Sequence, residues 1–170
     1  GVRGVGKTTT ARIIAKALNC NEVSLGNSEF QEPCCKCDNC IAISESRSID
    51  VLEMDAASRT GINDIRELID GVQYAPVSSS FKVYIIDEVH MLSNAAFNGL
   101  LKTLEEPPEH VKFIFATTEV RKIPATILSR CQRYDLKRIE PNELSDFFKG
   151  ICDKEGVPIE DGALKIISRS

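Results

Sequence analysis

No apolar run in this 170-residue sequence approaches the roughly 18 residues that a membrane-spanning helix needs. No secretory leader pattern is present either, and a cytoplasmic protein is expected. A basic excess is also missing: 21 Lys and Arg face 25 Asp and Glu, for a net charge of −4. That excludes a protein that coats nucleic acid with its whole surface, so any DNA contact has to be local. Histidine is scarce, with two residues, His90 and His110. Each stands isolated, without metal-ligand company, and no chemistry is assigned to either. No internal repeat is visible. The sequence has no initiator Met, and Ile166–Ser170 stops inside an apolar-periodic stretch, so a piece of a longer protein is expected.

What is present is ordinary for a globular chain: 42% hydrophobic and 27% charged residues, enough for one core and the start of a second. The unusual component is cysteine. Seven are present, and five fall between Cys20 and Cys40. Such clustering suggests a metal site rather than a disulfide framework.

The periodicity alternates between helix and strand. Lys7–Asn19 reads as a helix with Ala11, Ile14, Ala17 and Leu18 on one face. Asp50–Asp55 reads as a strand, and Ile62–Tyr74 as a helix with Ile62, Ile65, Ile69 and Val72 inward. Phe81–Ile86 is a strand running into Asp87-Glu88. Asn94–Glu105 is an amphipathic helix with Phe97, Leu100, Leu101 and Leu104 inward, ended by Pro107-Pro108. Val111–Thr117 is a buried strand, Ile123–Ser129 a short helix and Gln132–Leu136 a last strand. Pro141 opens a new helix, with Asn142 as N-cap and Leu144, Phe147, Phe148 and Ile151 on its face. Alternation of this kind predicts an α/β domain with a parallel sheet, and a boundary near Ile139 separates it from a helical segment at 140–170.

Gly1-Val-Arg-Gly4-Val-Gly6-Lys7-Thr8 fits the phosphate-binding pattern G-x-x-x-x-G-K-[ST]. Glycines let backbone N–H groups wrap around phosphates, a lysine neutralises the outer ones, and a Thr hydroxyl ligates Mg²⁺. Gly1, Gly4, Gly6, Lys7, Thr8 and Thr9 are therefore the nucleotide-binding candidates, with ATP and Mg²⁺ as cofactors. Val83–Glu88 is an apolar strand ending in two acids. Acids at a strand's C-terminal edge sit beside such a loop, so Asp87 is expected to hold Mg²⁺ with Thr8, and Glu88 to polarise the attacking water.

Cys34-x-x-Cys37-x-x-Cys40, with Cys20 upstream, offers four thiolates to a tetrahedral Zn²⁺ and leaves Cys35 as a spare. Four thiolates leave no open position for water, so the site reads as structural. Cys131 and Cys152 lie in apolar contexts and read as buried small side chains. The Phe147-Phe148 doublet reads as packing rather than as a base-stacking platform.

With GVGKTTTAR, the cysteine module after LNC, VLEMDAASRTG, KVYIIDEVHMLS, LLKTLEEPPEHVKFIFATT and ILSRC in view, the chain resembles the AAA+ clamp-loader ATPases along essentially its whole length. The resemblance implies a P-loop NTPase (AAA+) parallel sheet with flanking helices and a zinc-binding insertion at about 20–40, followed by the start of a small helical lid domain. It implies that Thr118 is a polar sensor near the γ-phosphate and that Arg130 is an arginine finger acting in trans. It places Arg59, Lys102 and Lys122 on DNA phosphates inside a subunit spiral. Implied partners are other clamp-loader subunits in a hetero-oligomeric ring or spiral, a sliding clamp and primer-template DNA.

Competing readings are a non-hydrolysing stator of the same assembly, like the delta-prime subunit, and another AAA+ DNA motor. The intact Gly6-Lys7-Thr8 and Asp87-Glu88 argue against the first, and the four-cysteine insertion against the second. A zinc-finger DNA reader would need a basic helix after the cysteines, and Ile41–Arg47 carries one Arg and one Glu. No pair of polymerase metal carboxylates is recognisable, so the expected chemistry is ATP hydrolysis within a DNA polymerase assembly.

Overall fold

The computed structural model describes residues 5–23, 32–58 and 62–168. The described chain separates into two compact units, one running to Asp135 and the other from Leu136.

In the first unit, β1 (Val51–Asp55), β2 (Lys82–Asp87) and β3 (Val111–Phe115) form a parallel sheet in the order β1-β2-β3. Val51 pairs with Val83, and Val83 with Lys112. The central strand explains the layering. Val83, Tyr84, Ile85 and Ile86 are all buried, which a strand achieves only when both faces of its sheet are covered. Val83 and Ile85 meet Ala11 and Ala15 of α1 (Lys7–Asn19) and Ile43 of α2 (Asp38–Ser44). Ile86 faces the other way, onto Ile65 of α3 (Ile62–Val72) and Phe97 and Leu100 of α4 (Asn94–Glu105). Tyr84 packs with Val72 and stacks on Phe113, with ring centroids 5.4 Å apart. At Gly71 a Cβ would come within 3.1 Å of the Tyr84 hydroxyl, so glycine permits this close approach of α3 to β2. Ser93 caps α4 by accepting from the Ala96 amide at 3.2 Å. α5 (Ala125–Leu128) follows Pro124, and Ile127 enters the same core as α4.

Several expectations are corrected. Gln132–Leu136 forms no strand. It finds no ladder partner and buries no face, and Tyr134 stays 74% exposed. Helix α1 presents Ala11, Ala15 and Asn19 rather than Ile14, because the two alanines let it approach the sheet closely. Ile14, about 100° round the helix from Ala15, is 42% exposed. Helix α3 ends at Val72, two residues before Tyr74. The expected helix Ile123–Ser129 is shortened to α5, which starts only after its N-cap Pro124, and a separate 3-10 turn at Val120–Lys122 precedes it.

The second unit contains α6 (Pro141–Glu155) and α7 (Asp161–Ile167). Its N-cap is Glu140 rather than Asn142, because Pro141 fits the first helical position, where its missing N–H leaves no bond unmade. Gly156, with φ 67°, ends α6 in the left-handed conformation. Leu164 is buried, whereas Phe147, expected on the packed face, is exposed. Among the described residues no helix is long and apolar enough to cross a membrane.

Candidate nucleotide site and cysteine centre

The candidate nucleotide site lies where the N-terminus of α1 meets the C-terminal edge of the sheet. Gly6 sits at the helix N-cap with φ 81°, a conformation that glycine reaches without strain. A Cβ there would meet nothing within 4 Å, so the backbone faces open space. Gly6 makes no side-chain cap hydrogen bond, and the positive end of the helix dipole lies at this turn. That arrangement fits an anion. Lys7 and Thr8 follow on the first turn, and Thr9 is exposed beside them. Gly1 and Gly4 lie outside the described residues.

The Thr8 hydroxyl donates to the Asp87 carboxylate in a very short hydrogen bond. Residues 79 positions apart are thus joined, and together they are the pair that could hold a divalent cation. Asp87 also accepts from the Glu88 amide at 2.8 Å, which orients the carboxylate. Glu88 has φ 45°, an uncommon conformation for a residue with a Cβ. Such strain gathers at functional sites, and here it turns Glu88 off the line of β2. Its Oε2 accepts from the Thr118 amide at 3.2 Å and from the Thr118 hydroxyl at 3.0 Å. The Val89 amide donates to the Ala116 carbonyl at 3.0 Å, which ties the turn after β2 to the end of β3. Thr8, Asp87, Glu88 and Thr118 therefore form one connected group.

His90 belongs beside that group, against the expectation that it stands isolated. Its Nδ1 lies 3.0 Å from Thr117 Oγ1 and 3.3 Å from Glu88 Oε2. His90 follows Glu88 by two positions, and that short spacing was the signal available in the sequence. His110 instead sets Nε2 3.2 Å from the Val72 carbonyl, a contact within the fold.

The remaining basic candidates lie elsewhere. The Arg130 guanidinium pairs with Glu105 of α4 and donates to the Thr126 carbonyl at 2.6 Å. Asp135 pairs with Arg133. Lys102 is exposed on the last turn of α4. Lys122 donates to Glu119 at 2.9 Å. Arg59 lies outside the described residues.

The second centre is the cysteine cluster. The sulfurs of Cys20, Cys34, Cys37 and Cys40 lie within 4.8 Å of one another. Sulfurs around a tetrahedral zinc, each about 2.3 Å from the metal, stand about 3.8 Å apart. The Cys34 amide points at the Cys20 sulfur at 3.4 Å, and the Lys36 and Cys37 amides point at the Cys34 sulfur at 3.4 and 3.3 Å. Cys35 stands outside the group, exposed and with φ 56°. Burial alone would raise the Cys37 thiol, but hydrogen bonds from the Asn21 and Cys40 amides and from neighbouring thiols outweigh it and bring it to about 6. Cys40, buried beside the Cys37 and Cys20 sulfurs, is pushed up to about 12. Thiols this close ionise together only if a cation offsets their repulsion, so the group could hold a zinc ion. Cys131 is half-buried against the main core, and burial raises its thiol. Cys152 is also only half-buried.

A model of the family described as DNA polymerase III, delta subunit, matches residues 1–140. The DNA polymerase III subunit tau/gamma of Haemophilus influenzae is 52% identical over 170 residues, covering 100% of this chain and 24% of that protein. The tau subunit of Bacillus subtilis is 52% identical over 168 residues, covering 99% of this chain and 29% of that protein. The chain thus spans less than a third of either curated relative. Among solved structures, a DNA polymerase III gamma subunit-related protein of Thermotoga maritima superposes with a TM-score of 0.55 at 25% identity, over 87% of this chain and 52% of that one. A variant of RuvB from the same organism gives 0.62 at 19% identity, over 99% and 46%, a likeness of fold alone.

Proposed function

The chain belongs to the DNA polymerase III, delta subunit family, and from that premise we propose that it is the ATP-binding and ATP-hydrolysing part of a clamp-loader subunit of the gamma/tau kind. The observation that carries this reading is the joining of Thr8, Asp87, Glu88 and Thr118 at the N-terminus of α1. A stator of the delta-prime kind would have no use for that complete set, and the relatives at about half identity carry gamma and tau names.

Bound ATP with Mg²⁺ supplies the phosphoryl bond whose hydrolysis drives the motor. The N–H groups from Gly6 onward and the Lys7 ammonium hold the phosphates. Thr8 and Asp87 hold the metal between them. Glu88 orients a water for in-line attack, and Thr118 keeps the Glu88 carboxylate in place while sensing the outer phosphate. Cys20, Cys34, Cys37 and Cys40 hold one structural zinc. Arg130 leaves Glu105 to reach the ATP of a neighbouring subunit. Arg59, Lys102 and Lys122 touch DNA phosphates, without reading bases. The assembly is a hetero-oligomeric ring or spiral of gamma/tau copies with delta and delta-prime subunits. It opens a sliding clamp and sets it on primer-template DNA in the bacterial cytoplasm. The segment from Leu136 is the start of a helical lid.

Replacement of Lys7 by Ala in the full-length protein tests the site. ATP binding or hydrolysis should be lost, because the phosphates then face the helix without their ammonium partner. ATPase activity at the original rate in Lys7→Ala would remove the assignment.

A further inference from the structure

His90 lies on the 3-10 turn Val89–Met91, and its side chain is only 6% exposed. A buried imidazole is costly unless its nitrogens find partners. Here both edges of the ring face polar groups at the site. Nδ1 lies 3.0 Å from Thr117 Oγ1 and 3.3 Å from Glu88 Oε2. Nε2 lies 3.5 Å from Glu119 Oε1, the same oxygen to which Lys122 donates at 2.9 Å. Thr117 Oγ1 in turn accepts from the Glu119 amide at 3.0 Å. The segment after β3 therefore grips the ring on two sides and fixes its plane.

The contacts on Glu88 are unevenly shared between its two oxygens. The Thr118 amide, the Thr118 hydroxyl and the His90 ring all address Oε2. A carboxylate held at one oxygen from two directions cannot swing about its last bond, and its other oxygen then has a fixed direction. The Thr118 amide and hydroxyl donate to Oε2, and the His90 Nδ1 lies 3.3 Å away on the ring that Thr117 and Glu119 hold.

We propose that His90 is a positioning residue for Glu88, holding Oε2 together with Thr118 so that Oε1 is presented to the attacking water. The proposal rests on the reading of Glu88 as the residue that orients that water. His90 itself touches neither nucleotide nor water in this role.

The test uses the full-length protein, with ATP affinity measured by equilibrium binding and turnover measured at saturating ATP. His90→Phe fills the ring's place without nitrogen. His90→Asn sets an amide nitrogen close to the position of Nδ1. Glu88→Gln is the control for the underlying reading. His90→Phe is expected to lower kcat about tenfold or more, as loss of an orienting partner typically does, while ATP affinity stays unchanged. His90→Asn should restore most of that loss. A merely structural histidine would instead shift affinity and turnover together, with no rescue by Asn. The proposal is overturned if His90→Phe turns over at the original rate, or if His90→Asn is as slow as His90→Phe, including when both variants also lose affinity. Glu88→Gln separates the two levels. If it hydrolyses ATP normally, the assigned role of Glu88 fails. If it is inactive while His90→Phe is unimpaired, the positioning role alone fails.

Discussion

Tyr84 shows how a single side chain can be well packed and poorly satisfied at once. Its ring is 1% exposed and stacks on Phe113, yet its hydroxyl is buried with no hydrogen-bond partner among the described residues. Burial correspondingly pushes its ionisation up. An unmade hydrogen bond of this sort costs about 1–3 kcal/mol, so removing the hydroxyl should not destabilise the fold. Tyr84→Phe is expected to leave the midpoint of chemical denaturation unchanged or to raise it, and a clear fall would mean that the hydroxyl has a partner. At this scale the sequence was informative wherever residue type and spacing coincide. Gly6 caps the helix that Lys7 and Thr8 begin, and Thr8 meets Asp87 at the end of β2, a juxtaposition that the two sequence patterns led one to expect. His90 was passed over although it follows Glu88 by two positions, because its other partners, Thr117 and Glu119, are nearly thirty positions away.

Among elements, the loop before β2 depends on one carboxylate. Asp50 is 0% exposed and accepts from the amides of Val77, Ser78 and Ser79, at 2.8, 2.8 and 2.9 Å. Burial would raise its pKa, but these donors and the Ser78 hydroxyl outweigh that and hold it below the ordinary aspartate value. The folded-state pKa is depressed, so the stabilisation is complete above the unfolded value, near 3.9, and is lost as pH falls through the lower folded value. Asp50→Asn should therefore cost about 1–3 kcal/mol at neutral pH and flatten the acid limb of the stability curve. An unchanged acid limb would contradict this. The helix α4 was legible to the residue, since Ser93 caps it and Pro107-Pro108 follow it. The strand expected at Gln132–Leu136 was not. Its composition suits a ladder, but pairing depends on a neighbouring edge, and a local sequence pattern carries no information about that edge. The cysteine cluster was legible because Cys34, Cys37 and Cys40 are evenly spaced and Cys20 lies a short way upstream. Metal analysis of protein purified under reducing conditions should find one zinc per chain. Cys35→Ser should retain it, and Cys37→Ser should lose it and lower thermal stability. Protein without zinc under those conditions would refute the assignment.

At the scale of the proposed assembly, the residue to test is Arg130. In the isolated chain its guanidinium is bound to Glu105 and to the Thr126 carbonyl, within its own subunit. A finger that serves a neighbour has to exchange that pairing for phosphate oxygens, and its planar, permanently charged fork suits both partners. Such fingers contribute roughly 10³–10⁵-fold in rate. In mixed assemblies, Arg130→Ala chains should bind ATP normally and leave hydrolysis deficient in the neighbour whose site they complete. Their own sites should turn over when a wild-type neighbour supplies the arginine. A defect confined to the mutant chain's own site would exclude action in trans. Cys20 ends the helix whose first turn carries Lys7 and Thr8, about 20 Å away at 1.5 Å per residue. Asn39 fastens the cysteine module to that far end by donating to the Asn19 carbonyl at 2.9 Å. The Cys34 amide meets the Cys20 sulfur at 3.4 Å, so the two ends of the stretch between them lie together, and lengthening a closed loop adds little entropic cost. Insertions within that stretch should therefore be tolerated far better than insertions at the start of α1.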